Sequence, residues 1–132
     1  MKIIADTNVL LRFILRDDFA QYERALEIME RAEAIMVTNV TLCEVVWVLR
    51  SRYGVTRENI AATIAGLRET RNIVLDSAAV DAGLTLLEAG ADFADGVIAH
   101  EGLRLGGDTF VSFDKKAVAH INSQGQKAKL LA

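Results

Sequence analysis

A chain of 132 residues and 14.4 kDa can bury one real core and is short for two domains. Its net charge of −3 and pI near 5.4 argue against a protein that coats nucleic acid by broad electrostatics. Although 52% of the residues are hydrophobic, no apolar run reaches the roughly 18 residues of a membrane helix. The lone Cys43 cannot form an internal disulfide. The opening Met-Lys-Ile-Ile-Ala-Asp meets a carboxylate too early for a signal peptide. A single cytoplasmic domain spanning residues 1–132, with no membrane association, is expected.

Residues 2–5, Lys-Ile-Ile-Ala, read as a short strand buried on both faces of a parallel sheet and ending at Asp6. Asp6-Thr7-Asn8 supplies cap chemistry, and Val9, Leu10, Phe13 and Ile14 repeat at helical spacing as far as Arg16. Residues 19–34 carry Phe19, Tyr22, Ala25, Leu26 and Met29 on one stripe with charges opposite, which predicts an amphipathic helix. Ile35–Thr38 is the second strand, and helices follow over Thr41–Tyr53, closed by Gly54, and over Thr56–Arg71. Asn72–Leu75 reads as a strand or extended connection. Helices are expected over Ser77–Glu88 and Phe93–Leu105, a strand over Thr109–Phe113, a helix over Lys115–Asn122 and a last strand over Ala128–Leu131. Strands alternating with helices predict an α/β fold with parallel pairing and helices on both faces.

Acidic residues recur where these elements change. Asp6 and Asp114 each follow a strand, and Asp92 and Asp95 open a helix three residues apart, on one face. Each has a structural reading as a helix cap or as a first-turn acid that complements the dipole. Glu44 has one too: Thr41-x-x-Glu44 matches a capping box, whereas a cap at Asn39 would put Glu44 more than a turn into the helix and free it. Collectively the positions say more. A parallel sheet gathers its strand-to-helix junctions on one edge, where ligands bind, and carboxylates collected there repel one another unless a cation intervenes. Hard divalent cations take oxygen ligands, and neither His100 nor His120 has a Cys or second His at zinc-ligand spacing.

Four blocks then carry a resemblance. With Asp6-Thr7-Asn8-Val9-Leu10 at the start, Glu44 in an early helix, Phe93-Ala94-Asp95-Gly96-Val97-Ile98-Ala99 late and Phe113-Asp114-Lys115-Lys116 after a strand, the chain resembles the PIN-domain ribonucleases, and most of all the VapC-type toxins of bacterial toxin-antitoxin pairs. The similarity spans nearly the whole length. It implies a three-layer α/β/α domain whose central, mostly parallel sheet has four or five strands. It also implies an endoribonuclease dependent on Mg²⁺, with Mn²⁺ as substitute. Its catalytic, metal-binding acids would be Asp6, Glu44, Asp95 and Asp114, with Asp92 an auxiliary metal ligand. Thr7, Asn8 and Ser112 would position the acids or the phosphate. The implied partners are an RNA substrate, a cognate antitoxin and a second copy in a homodimer. Gly96 stands where alanine is common in that family, and Ser112-Phe113 where a threonine-containing pair is frequent.

Arg12, Arg16, Lys115 and Lys116 follow closely on the acidic blocks and are candidates for RNA phosphate contacts. Setting the five candidate acids aside leaves 13 of the 18 acidic residues against 15 basic ones, so the remaining surface is mildly basic. Two other classes compete. A receiver or small phosphatase-like α/β domain also gathers acids around Mg²⁺, but would show paired acids after the first strand, where this chain has one Asp followed by Thr-Asn. A metal-free interaction module would use the same acids only as caps.

Overall fold

Short apolar segments alternating with amphipathic ones do fold as alternating strands and helices. A computed structural model describes all residues 1–132, which divide into two units, Met1–Asp76 and Ser77–Ala132. The first unit runs β1 (Lys2–Ile4), α1 (Thr7–Leu15), α2 (Phe19–Arg31), β2 (Ala34–Met36), α3 (Asn39–Ser51), α4 (Arg57–Glu69) and β3 (Ile73–Val74). The second runs α5 (Ser77–Glu88), α6 (Phe93–Arg104), β4 (Thr109–Ser112), α7 (Lys115–Ser123) and β5 (Lys127–Leu130).

In the first unit β1, β2 and β3 form a parallel sheet in that order, with Ile3 opposite Ile35 and Ile35 opposite Ile73. Parallel neighbours need a crossover, and the helix pairs α1–α2 and α3–α4 supply it. Leu10, Leu42, Val45, Leu49, Ile60 and Ile64 fill the core at 1% exposure or less. The first strand is not buried on both faces as expected: Ile3 is half-buried, but Ile4 is 78% exposed.

In the second unit β4 and β5 pair in parallel, Thr109 opposite Lys127, and α7 packs on both. Leu86, Ala91, Ala99, Ala117 and Ile121 form its core, with Phe110 and Ala128 against them. Helices α5 and α6 make the most extensive pairing in the molecule.

The fold class is α/β, as the alternation predicts, and every strand pair is parallel. The expectation of one sheet with four or five strands is corrected: the hydrogen bonds make a three-stranded and a two-stranded sheet. Periodicity identifies a strand but carries no signal for which neighbour it joins. With β3 only two residues long and β1 and β2 only three, the ladders are short and end at these edges.

Candidate functional site

The second unit brings three of the five candidate acids together. Asp92 takes the N-cap position of α6 in extended backbone, yet its side chain makes no cap hydrogen bond. Its carbonyl instead accepts from the Asp95 N–H at 3.1 Å, so the Asp92 carboxylate is left exposed for other use. Asp95 stands half-buried in the first turn of the same helix. Asp114 arrives from β4 and caps α7, accepting from the Ala117 N–H at 3.1 Å, while its own N–H donates to Ser112 Oγ at 3.0 Å. One carboxylate oxygen from each of Asp92, Asp95 and Asp114 lies within 4.8 Å of the others.

Three like charges so close raise the cost of ionisation. Burial pushes the Asp95 carboxyl above its ordinary range, and the charges of Asp92 and Asp114 push it further the same way. A bound cation would remove that cost. The donor set is all carboxylate oxygen, without His or Cys, and its spread is small enough for one ion, so it fits a hard divalent cation rather than zinc or copper.

Sequence reasoning missed what holds these acids from behind. Phe93, between the two acids of α6, is 1% exposed. Its ring lies against Gly83 of α5 so closely that a Cβ there would come within 2.6 Å of it. One turn on, Gly96 meets the backbone of α5, where a Cβ would stand 2.6 Å from the carbonyl carbon of Ala82 and 2.8 Å from Gly83 Cα. The signal was present as single glycines inside two helical patterns, which usually mark close packing.

Asp6, Thr7, Asn8 and Glu44 belong to the first unit. Asp6 caps α1, accepting from the Val9 N–H at 2.9 Å, and leaves its second carboxylate oxygen available. The Thr7 hydroxyl donates to Glu44 Oε1 at 3.3 Å, which brings the acid of α3 to the start of α1. The capping-box reading of Glu44 does not survive. Thr38 is the cap of α3, its hydroxyl accepting from the Thr41 N–H at 3.3 Å, so Glu44 sits in the second turn with an exposed side chain. Asn8 is exposed and lines a groove between α1 and α2 with Arg12 and Arg24.

The four basic candidates divide. Arg12 is engaged by Asp17 at 2.8 Å, and Tyr53 donates to the same carboxylate at 3.3 Å. Arg16 closes α1 in the left-handed conformation, φ 56°, with its guanidinium 5.0 Å from the centre of the Tyr22 ring. Both arginines therefore serve the local fold. Lys115 and Lys116 are exposed in the first turn of α7, directly after Asp114.

Compared with known proteins, residues 3–122 match the family model described as PIN domain. The match contains all five candidate acids and runs through both units. No curated protein matches the chain.

Proposed function

The chain belongs to the PIN domain family, whose members are generally metal-dependent nucleases, and on that premise we propose that it is a Mg²⁺-dependent endoribonuclease toxin of the VapC type, with residues 1–132 acting as one domain. The observation that carries the reading is the convergence of Asp92, Asp95 and Asp114 within 4.8 Å, with the Asp92 side chain excused from capping and Asp95 reluctant to ionise. Those three carboxylates would hold the ion, Mg²⁺ with Mn²⁺ as a substitute, and Asp6 and Glu44 are assigned to the reaction as its further acids. When bound, the ion supplies Lewis acidity that makes a water nucleophilic near neutral pH and offsets charge on the phosphate.

The chain's own groups do the rest. The backbone N–H of Asp114 donates to Ser112 Oγ, and its carboxylate is fixed by accepting from the Ala117 N–H. Thr7 orients Glu44. Asn8, exposed beside the first acidic block, is assigned to positioning the phosphate. Lys115 and Lys116 carry positive charge next to Asp114, where an RNA backbone would pass.

The same reading includes a cytoplasmic setting, a homodimer and a cognate antitoxin that blocks the acids. No helix of the structure is long and apolar enough to cross a membrane. On α3, Val40 and Trp47 are 69% and 61% exposed, apolar surface suited to a protein partner.

The test is incubation of purified protein with total cellular RNA, with Mg²⁺ or with EDTA, beside Asp6→Asn and Asp95→Asn. Discrete fragments that need both Mg²⁺ and the two acids are expected. RNA left intact by folded, Mg²⁺-loaded protein, or cut equally by the variants, would overturn the proposal.

A further inference from the structure

The carboxylate centre is backed by an α5–α6 contact with no room for one more carbon atom. Gly96 follows Asp95 directly, and a Cβ on it would run into the Ala82 carbonyl oxygen, with the carbonyl carbon 2.6 Å away. Cβ atoms do not approach backbone this closely, and backbone inside a packed helix cannot swing aside as a long side chain can. On the same face of α6, one turn earlier, the Phe93 ring is seated on Gly83, where a Cβ would lie 2.6–2.8 Å from three ring atoms. Phe93 stands between Asp92 and Asp95 in sequence and is among the largest fully buried side chains of the molecule. Both acids of α6 are thus carried on a turn pinned at two points to α5, while the third, Asp114, is fixed separately by Ser112 and by its cap on α7.

We propose that Gly83, Phe93 and Gly96 are positioning residues of the metal centre, setting the separation of Asp92 and Asp95 from Asp114 through the α5–α6 contact. The inference rests on the metal-binding reading of that cluster. Binding constellations tolerate errors of only about 0.5 Å; a methyl at Gly96 meets the backbone of α5 and requires the helices to part by more than that, while a methyl at Gly83 displaces the buried Phe93 ring that sits between Asp92 and Asp95 in sequence. The glycine at 96 therefore reads as a geometric requirement of this chain rather than a loose substitution for alanine. Gly102 supplies an internal comparison: it lies in the same helix with nothing within 4 Å of its would-be Cβ.

The experiment measures Mn²⁺ affinity by calorimetry on full-length wild type, Gly96→Ala, Gly83→Ala, Phe93→Leu, Gly102→Ala and the double variant Gly83→Ala/Phe93→Leu. Folding is followed by circular dichroism, and binding is measured at a temperature where the variants are folded. Loss of a group that orients metal ligands typically lowers affinity 10- to 100-fold. A loss of roughly that size is expected for Gly96→Ala and Gly83→Ala, none for Gly102→Ala, and partial recovery in the double variant, whose smaller side chain makes room for the methyl. Folded Gly96→Ala and Gly83→Ala that bind Mn²⁺ as wild type does would overturn the inference, as would an equal loss in Gly102→Ala. If neither glycine variant folds, Phe93→Leu decides: weaker binding supports the role and unchanged binding removes it. Wild type that binds no Mn²⁺ removes the metal reading itself, and this inference with it, an outcome distinct from all the others.

Discussion

Asp95 carries the charge imbalance of the centre and gives it a pH signature. Its carboxyl is raised above the ordinary 3.8 by burial first and by Asp92 and Asp114 after that. A native state that holds a proton more tightly than the unfolded chain is most stable at low pH relative to the unfolded chain, and this contribution falls as pH climbs through 3.8 to the folded value, then stays flat. Other groups titrate in the same range, so the difference between wild type and Asp95→Asn isolates the effect. In EDTA, wild type is expected to lose stability relative to Asp95→Asn as pH rises from about 3 to 7, measured by urea midpoint; parallel curves would contradict it. Added Mg²⁺ should reverse the order at pH 7, because a bound ion stabilises the folded state only where its ligands remain. This much of the centre was partly legible in sequence. Asp92 and Asp95 three apart could not both cap α6, so one was available, but the sequence did not say that Asp92 at the cap position would leave its side chain unused. Nor could it show that Asp114 would cap α7 and still join the cluster.

Helix ends are where element and site compete for the same side chains. Asp6 and Asp114 each satisfy an N–H of the helix that follows, and asparagine caps as well as aspartate does, whereas alanine in place of an N-cap costs about 1 kcal/mol. Asparagine variants therefore separate charge from capping. Asp114→Asn is expected to keep the thermal midpoint of metal-free protein and lose Mg²⁺-induced stabilisation, while Asp114→Ala lowers the midpoint as well. Equal destabilisation by the two would mean that the cap is not what Asp114 contributes. Thr38→Ala should likewise cost about 1 kcal/mol. The start of α3 also explains the one boundary that changed the meaning of a residue. Thr38, Asn39 and Thr41 are all good caps within four positions, and no local signal ranked them. Choosing Thr41 would have consumed Glu44 as a capping partner, and Thr38 leaves it free to meet Thr7. The long amphipathic helices were readable to within a few residues because their period spans several turns. The glycines of α5 and α6 were visible but mute, since contact between two helices is not encoded in either one alone.

For the whole molecule, the proposed RNA substrate has to be reconciled with a net charge of −3. With all five candidate acids set aside, 15 basic side chains face 13 acids over the whole chain, and a cation held by Asp92, Asp95 and Asp114 would add to that positive balance, so RNA binding by the proposed enzyme should depend on metal loading and on salt. Lys115 and Lys116 are the sharpest instance. Cations in the first turn of a helix oppose its dipole, so the charges of these two lysines are not favoured by α7, and their placement after Asp114 asks for another explanation. Removing one lysine–phosphate pairing with single-stranded RNA should flatten the slope of log affinity against log salt by about 0.7. The comparison is made in an Asp6→Asn background to suppress cleavage, with and without Lys115→Ala and Lys116→Ala. The double lysine change is expected to weaken RNA binding, to flatten the salt slope by roughly 1 to 1.5, and to leave the thermal midpoint unchanged or raised. Unchanged affinity and slope would make the lysines ordinary solvated surface, and a lowered midpoint would show them supporting the fold against the dipole argument. Because folding and RNA affinity are expected to move in opposite directions, one pair of substitutions distinguishes a surface shaped by its substrate from one shaped by its helix.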